Sequence, residues 1–312
     1  MRVLLAGGTG FVGTHLVRAL VARGDTVTVL TRDVAAAKKG LPRECRVAHW
    51  EPGTKGPWFE ELQFVDAVVN LAGAPVAQRW TAKSKRSIKE SRLRATTSIV
   101  EALAAAGESR SRGAHRPAVL INASAIGYYG SSTVGVVDEG GATGEGFLAD
   151  VCKEWETSAV AAETLGVRVV RLRIGVVLGQ GGGALQRMVG PLGAFVAGPI
   201  GKGHNTVSWV HVDDLVGMVT WALDDARVEG ALNCTSPFAT TGRELANSMA
   251  SVLGKPALAA PEVVMRSLLG EMVEIIVGSQ NIYPKRAVDL GYEYHYAQLV
   301  PALEQALVSA RD

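Results

Sequence analysis

Short apolar runs rich in β-branched residues alternate, over the first 180 residues, with longer segments whose apolar positions recur at helical spacing. The runs are "RVLLAG", "TVTVLT", "CRVAHW", "DAVVNLAG", "AVLINAS" and "VRVVRLRIGVVLG", and helical periods occupy 11–23, 84–106 and 148–165. Strands separated by helix-length segments predict βαβ units and a parallel sheet. "DAVVNLA" and "AVLINA" show no polar alternation, as suits strands covered on both faces. The pattern predicts an α/β fold built on a doubly wound parallel sheet.

The rhythm changes after Gly179. A glycine-rich stretch, "GQGGGALQRMVGPLGAFVAGPIGKGHN", holds one helical patch; "TVSWVHV" reads as a strand feeding the helix "DDLVGMVTWAL"; and from Thr241 the chain is mostly helical. Thr241 and Glu244 have the capping-box spacing of a helix start. The chain therefore divides into 1–180 and a smaller, mostly helical unit at 181–312, with some of the latter expected to return to the sheet. The polar stretch "GESRSRGAHRP" at 107–117 reads as a surface loop leading into the fifth strand.

A length of 312 residues with 47% apolar side chains is enough for a substantial core. A net charge of +2 from 32 basic and 30 acidic residues gives no global field for nucleic acid or an acidic membrane. Cys45, Cys152 and Cys234 are scattered, without the CxxC spacing of a metal site or redox pair, and read as packed thiols of a cytoplasmic or organelle-lumen protein. No apolar run reaches the roughly 18 residues that span a bilayer. The first strand starts at Arg2, which leaves no room for a signal peptide, so no membrane insertion is expected.

The candidate chemistry begins in "LLAGGTGFVG", where Gly7, Gly10 and Gly13 follow a strand and open a helix inside a βαβ unit. Glycines there let the backbone turn sharply, and the helix start aims unpaired N–H groups at a pyrophosphate. Gly7, Thr9, Gly10, Phe11, Val12 and Gly13 are the expected contacts of a dinucleotide. At the end of "TVTVLTRD", where an acidic residue would hold the ribose hydroxyls of NAD, stand Thr31 and Arg32. A guanidinium there suits the 2′-phosphate of NADP(H), with Asp33 directed elsewhere. The charge run "KSKRSIKESRLR" has no interleaved aromatics and reads as a solvated helix face from which Arg92 can reach the cofactor phosphates.

Taken together, "GGTGFVG", "VTVLTR", "NLAGAPV", "ESRLRAT", "SAIGYYG", "RIGVVLGQGGGAL", "GPIGKGHNTVSWVHVDDL" and "GSQNIYPKRAVDLGYEY" cover nearly the whole chain in order. In these motifs the chain resembles the extended short-chain dehydrogenase/reductases, specifically the epimerase-family subgroup labelled sugar-nucleotide epimerase or cell-division-inhibitor-like. The resemblance implies an NADP-binding Rossmann domain with a small C-terminal domain over the nicotinamide end. It also implies cofactor contacts at Thr31, Arg32, Leu71, Ala72 and Gly73, and at Arg92 in the Ser-Arg motif.

Reductases of this superfamily place a serine at the end of the fifth strand and Tyr-x-x-x-Lys on the next helix, the lysine drawing the phenol's pKa down from about 10. Ser124 and Lys153 fill two of these places, but Ala149 stands where the tyrosine is expected. Three readings stay open. Tyr128 or Tyr129 supplies the acid, leaving an NADP(H)-dependent oxidoreductase or epimerase of a small carbonyl or sugar-nucleotide-like substrate. Alternatively Asp138, Glu139 or His211 serves as acid or base, although His211 also suits a bond to a helix cap supplied by Asp213 or Asp214. In the third reading the chain binds NADPH without turnover, as an accessory subunit or redox sensor. Gly181 to Gly183 ahead of a helix is a further candidate anion site, and helices on the sheet face suit a homodimer.

Overall fold

The structure, a computed structural model, describes residues 1–108, 113–188, 196–200, 202–260, 273 and 277–308. Parts of the expected 107–117 loop, of the glycine-rich stretch and of the helical region after Thr241 lie outside the described residues.

Each apolar run of the first half forms a strand: β1 (Arg2–Ala6), β2 (Thr26–Thr31), β3 (Arg46–His49), β4 (Ala67–Asn70), β5 (Val119–Ala125) and β6 (Arg168–Ile174). Between them lie α1 (Phe11–Ala22), α2 (Val34–Gly40), α3 (Trp58–Leu62), α4 (Ala82–Glu108) and α5 (Phe147–Val160). Along β1, Val3 and Leu5 enter one core while Leu4 and Ala6 enter the other, and all four are fully buried. That explains why the strand reads as continuously apolar.

"VRVVRLRIGVVLG" is not one strand. It breaks at Gly175 into β6 and β7 (Val176–Leu178), and β7 leaves the main sheet. A Cβ on residue 175 would lie 2.8 Å from the Ser208 carbonyl oxygen and 2.9 Å from Thr235 Cγ2, so any side chain there must displace its neighbours. α6 (Gly183–Met188) and β8 (Val196–Ile200) follow. "TVSWVHV" likewise divides at Ser208 into β9 (Thr206–Val207) and β10 (Trp209–His211), the latter parallel to β7. Then come α7 (Val212–Asp224), β11 (Gly230–Cys234), β12 (Thr240–Thr241), α8 (Gly242–Leu253) and β13 (Ala257–Ala260). Helices at Lys285–Asp289 and Leu299–Val308 close the described chain.

The seven-stranded sheet has the order β11-β6-β5-β4-β1-β2-β3, and every pairing in it is parallel. Chain direction across the sheet reverses between β1 and β4, which opens a crevice at their C-terminal ends. Residues 212–234 complete this unit from far along the chain. α7 buries Leu215, Met218 and Val219 in the same core as Leu16, Val17 and Leu20 of α1, and β11 extends the sheet beyond β6. At α8, Thr241 is the N-cap and accepts the Glu244 N–H at 3.1 Å. The Glu244 carboxylate accepts from the Thr240 hydroxyl at 2.8 Å, so only half of the capping box forms. Among the described residues no helix is long and apolar enough to cross a membrane.

Gly175→Ala is expected to destabilise the protein by about 1–3 kcal/mol through overpacking against backbone. Urea denaturation followed by circular dichroism measures it.

Candidate functional site

The turn after β1 is shaped by contacts that exclude side chains. Gly7 has φ +82°, and a Cβ there would lie 2.7 Å from the Leu71 carbonyl carbon and 2.8 Å from the Ala72 nitrogen. A Cβ at Gly13 would collide with the Gly7 carbonyl oxygen, which instead accepts the Gly10 N–H at 3.1 Å. The turn thus lies against the end of β4 with α1 rising directly from it. Gly10 is the N-cap and offers no side-chain cap, and the first turn of α1 contains no acidic residue. Its leading amides and the positive end of the helix face a cleft of about 570 Å³ at the sheet's switch point. Gly7, Gly10, Phe11, Val12, Gly13, Leu71 and Gly73 line that cleft. Thr9 lies exposed on the turn, and Ala72 is held by its N–H to the Asn70 side chain at 3.2 Å.

Of the two cations expected to meet the cofactor, Arg92 lines this cleft and Arg32 does not. Arg32 is exposed at the end of β2 beside half-buried Thr31. Asp33 is engaged elsewhere, for it caps α2 by accepting the Ala36 N–H at 2.9 Å. Arg92, on α4, lines the cleft, donates to the Ala74 and Ile88 carbonyls at 3.0 and 2.9 Å, and lies 5.0 Å from the Trp155 ring. Burial lowers its pKa. Among the described residues it pairs with no carboxylate. A half-buried guanidinium satisfied only by carbonyls and a ring face retains its attraction for an anion. The glycine turn, the free helix start and Arg92 fit a dinucleotide.

The catalytic candidates do not converge. Ser124, at the end of β5, lines the cleft, and its hydroxyl donates to Glu156 at 2.7 Å. Glu156 also receives Arg173 Nε at 2.9 Å, Arg173 Nη2 at 3.0 Å and Arg171 Nη1 at 3.2 Å. Burial alone would lower the Arg173 pKa, but the hydrogen bonds and charge of Glu156 outweigh it and raise it. Tyr129 is buried away from the cleft, where its hydroxyl donates to Asn233 at 2.7 Å and accepts from Arg173 at 2.8 Å. Burial raises its pKa. Tyr128 does not line the cleft either; the Arg173 guanidinium covers its ring at 3.5 Å.

Lys153 is exposed and does not line the cleft. Helix α5 turns Phe147, Leu148, Ala149, Val151, Cys152 and Trp155 to the cleft, and Lys153 is not among them. The Cys152 thiol sits against Ser124 and the Ala125 backbone, and burial, followed by the charge of Glu156, pushes it up to about 11.

The other acid–base candidates have structural partners. Glu139 accepts the backbone N–H groups of Asn233 at 3.0 Å and Arg286 at 3.2 Å. Asp138 accepts from Gly140 at 2.9 Å. His211, fully buried, is itself the N-cap of α7: Nδ1 accepts the Asp213 N–H at 3.2 Å, which leaves Nε2–H for Gln305 Oε1 at 2.9 Å. The cap therefore comes from His211, whereas Asp214 accepts the His295 and Tyr296 N–H groups. Gly182 and Gly183 press on the Phe11 ring, so they serve packing of the nucleotide turn.

Glu156, Arg173, Trp80, Phe147 and Gln280 had not been singled out from sequence. The inward face of α5 carried a legible signal for Glu156, four residues after Cys152. Gln280 lies in the quoted "GSQNIYPKRAVDLGYEY" motif, but that it enters this site from far along the chain is visible only in the fold.

The architecture is that of a Rossmann-type dinucleotide-binding protein. The model of the NAD dependent epimerase/dehydratase family matches residues 3–234, and the chain belongs to that family. A domain of unknown function matches residues 260–306. The chain is similar to the chloroplastic epimerase family protein SDR39U1 homolog of Arabidopsis thaliana, at 39% identity over 97% of this chain and 86% of the relative. It is also similar to the epimerase family protein YfhF of Bacillus subtilis, at 34% identity over 100% and 99% of the two chains. A crystal structure of human epimerase family protein SDR39U1 with NADPH superposes with a TM-score of 0.82 and 30% identity, covering 98% and 99% of the two chains. UDP-glucose 4-epimerase of Thermus thermophilus, solved with NAD, shares the fold at a TM-score of 0.79 and 21% identity, over 98% and 97%.

Glu156→Ala strips a buried guanidinium of its carboxylate and is expected to cost about 3–5 kcal/mol of stability. Guanidinium denaturation at neutral pH gives the value.

Proposed function

We propose that the chain binds NADP(H) and acts as an oxidoreductase or epimerase on a small carbonyl or sugar-nucleotide-like substrate. The observation that carries this reading is Arg92, a cation without a carboxylate partner among the described residues, lining a cleft entered by the free N-terminus of α1. The Ser-Arg motif and the human relative solved with NADPH support the same cofactor. In this reading Gly7, Thr9, Gly10, Phe11, Val12 and Gly13 hold the diphosphate. Arg32 with Thr31 selects the phosphorylated ribose, since Asp33 is tied to its helix. Leu71, Ala72, Gly73 and Arg92 complete the groove.

When bound, the nicotinamide supplies or accepts a hydride. Ser124 is the polar side chain of β5 at that end of the groove, and Glu156 fixes its hydroxyl. The chain is read as two parts, a nucleotide-binding unit at 1–180 and a substrate unit at 181–312 with segments returning to the sheet. A cytoplasmic or organelle-lumen site is in keeping with the chloroplastic relative, and a homodimer remains part of the proposal.

One observation favours a second reading, a noncatalytic NADPH-binding accessory subunit or redox sensor. The hydroxyl of Tyr129 and the amine of Lys153 both lie away from the cleft, and no other phenol lines it among the described residues. A protein of this kind gains stability from its ligand, about 2.7 kcal/mol at a hundredfold excess over Kd.

Arg32→Ala is expected to weaken NADPH by about tenfold or more while leaving NADH nearly unchanged, as loss of a charge-assisted contact requires. Calorimetric titration decides this, and equal losses for both nucleotides would remove the 2′-phosphate assignment. A carbonyl screen read by nicotinamide absorbance separates the two functional readings. Turnover that depends on Ser124, Tyr128 or Tyr129 supports the enzyme; tight NADPH binding with no turnover supports the accessory role.

A further inference from the structure

The cleft that Ser124 lines also has a wall whose character differs from the glycine turn. Pro75, Val76 and Trp80, from the segment after β4, face Phe147 and Leu148 at the start of α5. This wall is stiff. Trp80 Nε1 donates to the Val76 carbonyl at 3.1 Å, and the Trp80 and Phe147 rings meet edge to face with centroids 5.0 Å apart. Lys85 Nζ lies 5.7 Å and 5.2 Å from the two ring centroids. Preorganised aromatic surface of this kind favours a flat apolar group.

Ser124, Gln280 and Glu145 of the same lining present acceptors. Glu156 is ion-paired with Arg173 and can only accept, so the Ser124 proton is committed to it and the remaining lone pairs of Ser124 are available to the cleft. Gln280 Nε2 donates to the carbonyls of Ile126 at 2.9 Å and Gly130 at 2.6 Å, which fixes the amide orientation. Its Oε1 accepts nothing among the described residues. Glu145 adds a carboxylate to the lining. Arg92 is the one basic side chain lining the cleft among the described residues, and it sits against Gly73 in the nucleotide groove. A diphosphate carries acceptors and negative charge only and would meet the acceptors of the lining, the Lys85 ammonium lying over the two rings and outside that lining.

We infer that this pocket takes an uncharged, ring-bearing alcohol, whose hydroxyl donates to Ser124 or Gln280 while its ring lies on Trp80 and Phe147, and that it rejects nucleoside diphosphates. The inference rests on the NADP(H) reading of the same cleft and narrows its substrate to one chemical class.

The test is calorimetry on the full chain saturated with NADP+, using 1-tetralol, 1-tetralone and UDP-glucose as probes. Tetralol is expected to bind, tetralone about threefold or more weakly for want of the donor, and UDP-glucose neither to bind the loaded protein nor to displace tetralol. Trp80→Ala should weaken tetralol about tenfold, with Phe147→Ala as the second variant should the first fail to fold. NADPH affinity, measured on each folded variant without tetralol, should stay at the wild-type value. Absence of tetralol binding, displacement of tetralol by UDP-glucose, tetralone binding as tightly as tetralol, or indifference of tetralol to a folded wall variant overturns the inference. Each of these with NADPH binding intact leaves the cofactor reading standing, whereas loss of NADPH binding in the wild-type chain removes that reading itself.

Discussion

A single buried carboxylate holds the working end of this molecule together. Glu156 projects from α5 and gathers Ser124 of β5 and the guanidinium groups of Arg171 and Arg173 of β6. Removing these charges from water carries a penalty of several kcal/mol per ion, which is recovered only when geometry and hydrogen bonding are nearly complete. Here both carboxylate oxygens are occupied. The far side of Arg173 continues the network through Tyr129 to Asn233 on β11, so three neighbouring strands and one helix share it. The same interaction that locks the sheet edge also decides which way the cleft serine turns.

On the other side of the switch point, backbone does comparable work without charge. Gly7 lies on the Leu71–Ala72 peptide, Gly13 lies on Gly7, and the buried side chains of Asn70, at the end of β4, and Asn122, in the middle of β5, bond each other at 2.7 Å. Asn70 reaches Thr96 of α4, which also accepts from Trp155 of α5. The walls of the groove are thus fixed from behind by hydrogen bonds and from in front by close packing. A rigid glycine groove and an aromatic wall of Trp80 and Phe147 thus line one cleft.

Much of this was legible in the residues. The apolar strands, the helix periods and the glycine turn are local signals, and each produced its element within a few residues. What failed to show depended on partners far along the chain. The break at Gly175 answers to Ser208 and Thr235, and the burial of Tyr129 answers to Asn233. Lys153 lies off the cleft for a different reason: the apolar face of α5 runs through Ala149, Cys152, Trp155 and Ala159 and leaves the lysine outside it. His211 was read as a partner of the cap, and it is the cap, because a buried imidazole can accept an N–H as an aspartate does.

The late arrival of α7 and β11 bears on how the protein is made. While a ribosome is still adding the first two hundred residues, α1 has no neighbour on one flank and β6 is an open edge, each awaiting segments that end at Cys234. At about 5–20 residues per second, that exposure lasts seconds. During synthesis the emerging chain therefore offers chaperones an apolar helix flank and an unpaired strand, both of which disappear once residue 234 clears the exit tunnel.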